Sequence, residues 1–298
     1  MALPYKMMVL DIDGTLMPKG SPQVSRRVAK AVKSLQEKGV LVVVATGRTL
    51  FAMQGKILNG IKPDYCICSN GAQVLDKTGK DLFRQNMTNE EMYALVDFCE
   101  DYDDPICFCY EDGYYAYVGY EEIRRFYEDA TGHGDHVKDG EDQDRHLQSM
   151  PLAAFCCMPP HRQAMFQEKY GYLGLKFLPY AEGRYDVAQK DLDKATGLQA
   201  LMDGLGLKPE DVIAVGDNQN DLGMLKLAGT GVCMEDGDEA AKAAAAKAQW
   251  EFKLKQYEDK MELERQKQEG WNALANRFGK IEIGYKKEKA YKFGSSSK

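Results

Sequence analysis

The run Met7-Met8-Val9-Leu10 followed by Asp11-Ile12-Asp13-Gly14-Thr15 decides how the chain is read. A short apolar run bounded by a turn signal predicts a buried strand. Asp11 then falls at the carboxyl end of that strand, where open α/β sheets collect their ligands. Asp11 and Asp13, two residues apart, can share one face, and Gly14 supplies the backbone freedom for a sharp exit. Two carboxylates this close repel unless a positive charge lies between them, so a hard cation such as Mg²⁺ is expected. The plainer alternative is an Asp/Gly turn after a strand.

Three further clusters argue against the plain turn. Leu41–Ala45 (LVVVA) leads into Thr46, Gly47 and Arg48. Val212–Val215 (VIAV) leads into GDNQND, which sets Asp217, Asn218, Asn220 and Asp221 at another strand end. Lys194 opens a helical pattern carried by Leu198, Leu201, Met202 and Leu205. Strand ends of one parallel sheet lie side by side, so these groups can converge although nearly the whole chain separates them.

On these residues the chain resembles the haloacid dehalogenase superfamily of phosphohydrolases, and within it the Cof-type sugar-phosphatase branch with a subclass IIB cap. The motifs are DIDGT (11–15), ATGRT (45–49), SNGA (69–72), DKATGL (193–198) and GDNQNDLGML (216–225). The resemblance runs from about residue 7 to about residue 246. It implies a Rossmann-like parallel sheet covered by helices on both faces, with an inserted α+β cap. It implies a Mg²⁺-dependent phosphatase acting on a small phosphorylated metabolite, with a phosphosugar as the family default. By the same match, Asp11 is the nucleophile and forms an aspartyl-phosphate. Asp13 is the general acid and base, and its backbone carbonyl is a metal ligand. Asp11 and Asp217 complete the protein ligands, with Asp221 either a direct ligand, an outer acceptor for metal-bound water, or a helix cap. Thr46, the Gly47 amide, Lys194 and Asn220 attend the phosphoryl group. Arg48 is divided between substrate and a core carboxylate, and Asn70 between substrate and holding its turn.

With 298 residues and 44% hydrophobic content the chain can bury a full core and divide into two domains. Strand–helix alternation over the first ~83 residues, resuming near Lys194, is the signature of a parallel sheet. The interval between reads as hairpins around Asp112-Gly113 and Glu182-Gly183, with helical patterns at 89–101 and 120–129. The expected division is a core of residues 1–83 and 186–247, a cap of 84–185, and an appended tail of 248–298. The net charge of −7 argues against a general nucleic-acid binder. No apolar stretch is long enough to span a bilayer and MALPYK lacks a signal-peptide pattern, so a cytoplasmic protein is expected. The eight cysteines, several inside apolar runs and none in CxxC spacing, read as buried reduced thiols. His133 and His136, in TGHGDH, have ligand-like spacing, but no third partner is evident and the pattern reads as a solvated loop.

The tail departs from the family pattern. Trp250, Leu254, Tyr257 and Met261 make an apolar stripe, and from residue 248 onward twelve Lys and Arg face eight Asp and Glu. Packing on its own core or on a second copy in a homo-oligomer is the expectation. Two other functions compete with the phosphatase: a phosphomutase using the same aspartyl-phosphate, and a non-catalytic binding protein acting through the tail.

Overall fold

The computed structural model describes residues 5–53 and 57–246. The chain begins with β1 (Met7–Leu10), α1 (Arg26–Glu37), β2 (Leu41–Ala45), β3 (Tyr65–Cys68) and the hairpin β4 (Gln73–Asp76)–β5 (Asp81–Arg84). There follow α2 (Asn89–Tyr102), the hairpin β6 (Ile106–Tyr110)–β7 (Gly113–Val118), α3 (Tyr120–Thr131) and β8 (Val137–Asp139). Next come β9 (Ala153–Cys157), α4 (Pro160–Tyr170) and the hairpin β10 (Lys176–Ala181)–β11 (Arg184–Ala188). The described elements close with α5 (Lys194–Leu205), β12 (Val212–Gly216), α6 (Leu222–Leu227) and β13 (Thr230–Cys233).

Two sheets result. The first has the order β13-β12-β1-β2-β3-β4-β5. It is parallel from β13 to β3, and antiparallel at β4 and β5. Its central strands β1 and β2 are apolar on both faces because both are covered, whereas the edge strand β5 (DLFR) is exposed to half-buried. Met7, Val9, Val43 and Ala45 point to a layer built with Leu198, Leu201, Met224 and Leu225 of α5 and α6. Their neighbours Leu10, Val42 and Val44 point the other way, toward Val24, Val32, Ile57 and Ile61. This is the Rossmann-like core, and β1 lies between β2 and β12, so the carboxyl ends of all three open at one edge.

The second sheet has the order β10-β11-β9-β6-β7-β8. Phe108, Tyr110, Cys156 and Val187 pack one of its faces against Leu95, Phe98 and Phe166 of α2 and α4. The opposite face carries Cys107, Cys109, Tyr114, Phe155 and Cys157. It meets α3 through Ile123, Phe126 and Tyr127, and the first layer through Ala52. Helix starts are specified locally. Ser25 caps α1, and reciprocal capping boxes open α2 (Thr88/Glu91) and α5 (Asp193/Thr196). Such a cap is worth about 1 kcal/mol.

Several expectations shift. Residues 50–58 also carry a helical pattern in sequence; among its described residues Phe51–Met53 form a 3₁₀ turn, with Thr49 Oγ1 accepting from the Ala52 amide at 3.3 Å, while residues 54–56 lie outside the described residues. Asn59 and Gly60, at φ 45° and 83°, then turn the chain out of any helical course. Strand β11 runs through the boundary expected at residue 186, and so belongs whole to the second sheet. All eight cysteines are unpaired thiols, seven of them buried. Among the described residues no helix is long and apolar enough to cross a membrane. The expected tail, 248–298, lies outside the described residues.

Candidate active site

The carboxyl edge of the first sheet gathers the acids and the lysine. Asp11 leaves β1 with its amide donating to the Val215 carbonyl of β12 at 3.0 Å, and its side chain is buried. Lys194, the first residue of α5, is fully buried. Its Nζ donates to Asp11 Oδ1 at 2.6 Å and to Asp221 Oδ1 at 2.7 Å. The other oxygen of Asp221 accepts from the amides of Asp217 (2.9 Å) and Asn218 (3.1 Å). Asp221 therefore braces the lysine and the loop after β12 at once, combining an ion pair with the capping role the sequence left open. Asp217 is buried, and its Oδ1 accepts from Thr15 Oγ1 at 3.0 Å.

These contacts explain the electrostatics. Burial pushes the Asp11 carboxyl up to about 7, and Lys194 is the main opposing influence. The ammonium of Lys194 is disfavoured by burial but held above its ordinary range by Asp11 and Asp221. Asp217 is raised by burial, with Thr15 pulling the other way. Three buried carboxylates thus face one buried lysine, with the exposed Lys19 adding its Nζ 3.6 Å from Asp217 Oδ2 at the rim, so the acids still outnumber the cations. Asp11, Asp217 and Asp221 each offer an oxygen within 4.8 Å of the others. A set of hard carboxylate oxygens with that charge deficit fits a small divalent cation.

Gly14 lets this packing happen. It sits at φ 91°, and a Cβ there would lie 2.5 Å from the Asp217 carboxyl carbon. Gly71 plays the same part for the lysine, since its φ of 101° brings the chain flush against the backbone just ahead of Lys194.

The residues expected to attend the phosphoryl group form two linked groups. Arg48 grips Asp13 with both prongs, Nε to Oδ2 and Nη2 to Oδ1, each at 2.8 Å. The structure thus pairs Arg48 with a core carboxylate. Thr46 is buried, and its Oγ1 accepts from the Arg48 amide at 3.1 Å. Asn70, also buried, has φ 52° and donates its amide to the Thr46 carbonyl at 3.0 Å. Its Oδ1 accepts from Asn220 Nδ2 at 3.1 Å. Gly47 lies against the Asn70 carboxamide, where a Cβ would come within 3.2 Å. Asn70 therefore holds its turn and also ties the loops after β2, β3 and β12 together.

Two residues of the site escaped the reading of the sequence. Thr15 lies inside the opening motif, but its hydroxyl gives no sign in sequence that it will orient Asp217. Asp186 stands on β11, on the face opposite the buried Val187. Burial pushes its carboxyl up to about 6, the charge of Asp13 adds to the rise, and Lys194 opposes it. It is paired in register with Phe155, on the face of the second sheet that meets Ala52, and so turns a carboxylate toward the first sheet's side. Alternation along RYDVA following the Glu182-Gly183 turn was the available signal.

The comparisons with known proteins bear on the family and the fold. The profile of the haloacid dehalogenase-like hydrolases matches residues 8–250. A Bacillus subtilis 5-amino-6-(5-phospho-D-ribitylamino)uracil phosphatase, YcsE, is 25% identical over 243 residues, spanning 80% of this chain and 88% of its own. The solved structure of a Geobacillus kaustophilus protein aligns with a TM-score of 0.71 at 26% identity, covering 85% of this chain and 99% of that one. The subclass IIB sugar phosphatase BT4131 shares the fold, with a TM-score of 0.66 at 22% identity over 80% of this chain and 91% of that one. With its acids, lysine and threonine placed at the carboxyl edge of such a core, the chain belongs to the haloacid dehalogenase-like hydrolases and is a phosphatase of the Cof type.

Proposed function

We propose that the protein is a Mg²⁺-dependent phosphatase of small, hydroxyl-rich phosphorylated metabolites, sugar phosphates above all, working through an aspartyl-phosphate on Asp11. The observation that carries this reading is the buried Lys194 bridging Asp11 and Asp221, with Asp217 alongside. Asp11, Asp217 and the Asp13 backbone carbonyl would hold the cation. When bound it supplies the positive charge that this site lacks, for both the nucleophile and the phosphoryl oxygens.

The residues of the chain divide the remaining work. An oxygen of Asp11 attacks phosphorus in line, and the bond from phosphorus to the alcohol oxygen breaks. Asp13 gives its proton to the departing alkoxide, then takes one from the water that attacks phosphorus and frees Asp11 and inorganic phosphate. Both oxygens of Asp13 are held by Arg48, so this role requires Asp13 to part from the guanidinium, which then turns to the substrate. Lys194 keeps Asp11 oriented and balances charge on the phosphoryl group. The Thr46 hydroxyl, the Gly47 amide and Asn220, held by Asn70, position the phosphoryl oxygens. Residues 1–83 and 189–247 act as the catalytic core, with the second sheet as the cap. From that cap Asp186 accepts hydrogen bonds from substrate hydroxyls, which favours polyol phosphates over apolar esters.

The test is turnover of a panel of phosphorylated metabolites with Mg²⁺ beside an EDTA control, together with Asp11→Asn. Activity should vanish in EDTA, and the variant should lose ~10³-fold or more in turnover. Full activity in EDTA, or a near-parental Asp11→Asn, would overturn the reading.

A further inference from the structure

A second cluster of metal-ligating side chains lies away from the catalytic aspartates, in the segment TGHGDH between α3 and β8. His133, Asp135 and His136 each offer one ligand atom within 4.8 Å of the others. The two imidazole rings lie parallel, with centroids 4.6 Å apart and planes 7° from each other. His133 Nδ1 is 3.9 Å from Asp135 Oδ1. The structure thus supplies, in Asp135, the third partner that the spacing of the two histidines left undefined.

The backbone under these side chains is held firmly. The Gly134 amide donates to Glu128 Oε2 at 2.9 Å, and a Cβ on Gly134 would meet the Arg124 carbonyl of α3 at 3.0 Å. The His136 amide donates to the His133 carbonyl at 3.1 Å. Val137, the next residue, is buried and paired with Tyr114 of β7. The His133 and Asp135 side chains are 48% and 81% exposed, so they can rotate while the turn stays put. That freedom matters, because a tetrahedral ion with bonds of about 2.0–2.2 Å needs donors about 3.4 Å apart.

We propose that His133, Asp135 and His136 form a binding site for a divalent transition-metal ion of borderline softness, Zn²⁺ being the reference case. Two imidazole nitrogens and one carboxylate oxygen suit Zn²⁺, Co²⁺ or Ni²⁺, whereas Mg²⁺ selects oxygen donors alone. Three protein ligands leave a position for water on the exposed side. The site also has a telling position. The His136 ring stands edge-on to Phe51, 4.8 Å between centroids, in the 3₁₀ turn that follows Thr46–Thr49. An ion there would fix the turn where the second sheet leans on the catalytic layer.

The experiment is calorimetric titration of the full chain with Zn²⁺ in Mg²⁺-saturated buffer, repeated on His133→Ala/His136→Ala and on Asp135→Asn, with circular dichroism to establish that each variant is folded. One Zn²⁺ equivalent should bind the parent, the double variant should lose that event, and Asp135→Asn should weaken it by ~10-fold or more. X-ray absorption of the Zn²⁺-loaded parent should show imidazole scattering. Absence of Zn²⁺ uptake by the parent overturns the proposal. So does binding that persists unchanged in the folded double variant, which would assign the ion to the aspartates or the thiols. The outcome is independent of phosphatase turnover.

Discussion

Lys194→Met is the most searching perturbation of the catalytic layer. The lysine is fully buried and lies 2.6 Å from Asp11 and 2.7 Å from Asp221, itself fully buried. Methionine keeps the length and apolar stem of the side chain but removes the ammonium, so two carboxylates are left facing each other away from water. Removing one partner of a buried ion pair costs ~3–5 kcal/mol, set against a total stability of about 5–15 kcal/mol for a typical domain. In the parent, the lysine pKa is raised on folding. Its stabilisation is therefore complete below the ordinary lysine pKa of about 10.4 and is lost only as pH rises through the folded value. In the variant, Asp11 keeps the upward push of burial and loses the lysine that opposed it. A carboxyl with a higher pKa folded than unfolded makes stability fall as pH rises, by up to about 1.4 kcal/mol per pH unit. The deficit should therefore be larger at pH 8 than at pH 6. Urea unfolding followed by far-ultraviolet circular dichroism, without Mg²⁺, measures both quantities. A deficit below ~1 kcal/mol, or one that is the same at the two pH values, would refute the account of Lys194 as the charge that holds the two acids together.

Gly14→Ala places a methyl group 2.5 Å from the Asp217 carboxyl carbon and forces a left-handed residue. We expect the Mg²⁺ concentration for half-maximal activity to rise ~10-fold or more, and an activation curve superimposable on the parent's would contradict this. Asp186→Asn should raise KM for a sugar phosphate while leaving an aryl phosphate without hydroxyls unaffected; equal losses on both substrates would remove Asp186 from substrate recognition. Asp112 tests the second sheet. Burial works against its charge, but hydrogen bonds from Tyr115, Lys138 and Arg145 prevail and hold its carboxyl down at about 2. Its stabilisation is present above the unfolded carboxylate pKa and is lost as pH falls from about 4 toward 2. With the group partly exposed, screening leaves on the order of 1 kcal/mol. Asp112→Asn should therefore melt lower than the parent at pH 7 and converge with it near pH 2, as scanning calorimetry would show, and a constant gap across that range would exclude the linkage.

Much of this protein was determined by local sequence. β1, β2, β3 and β12 are each a continuous apolar run followed by a polar, glycine-containing turn. That pattern alone places Asp11, Thr46 and Asp217 at strand ends and marks Lys194 as the start of a helix. Short-range chemistry also sufficed for the hairpins at Asp112-Gly113 and Glu182-Gly183, and for the boundaries of α2 and α5, whose capping residues lie within three positions of what they cap. The tertiary structure decided what depends on approach between distant segments. Asp221 lies 27 residues from Lys194, and only the packing of α5 beside the loop after β12 lets it brace the lysine and that loop together. The choice of Arg48 between substrate and Asp13 was open in sequence, because the charge of a guanidinium does not name its partner. Alternation along RYDVA sets Asp186 opposite Val187, but which face of β11 meets the first sheet is decided by how one sheet rests on the other. The cluster at His133, Asp135 and His136 was discounted because spacing cannot say whether a turn will gather three side chains; the clamp of Gly134 on α3 does that. Sequence periodicity encodes which residues share a strand or a helix face, whereas charge pairing and site assembly follow from desolvation and contact, which exist only once the chain has packed.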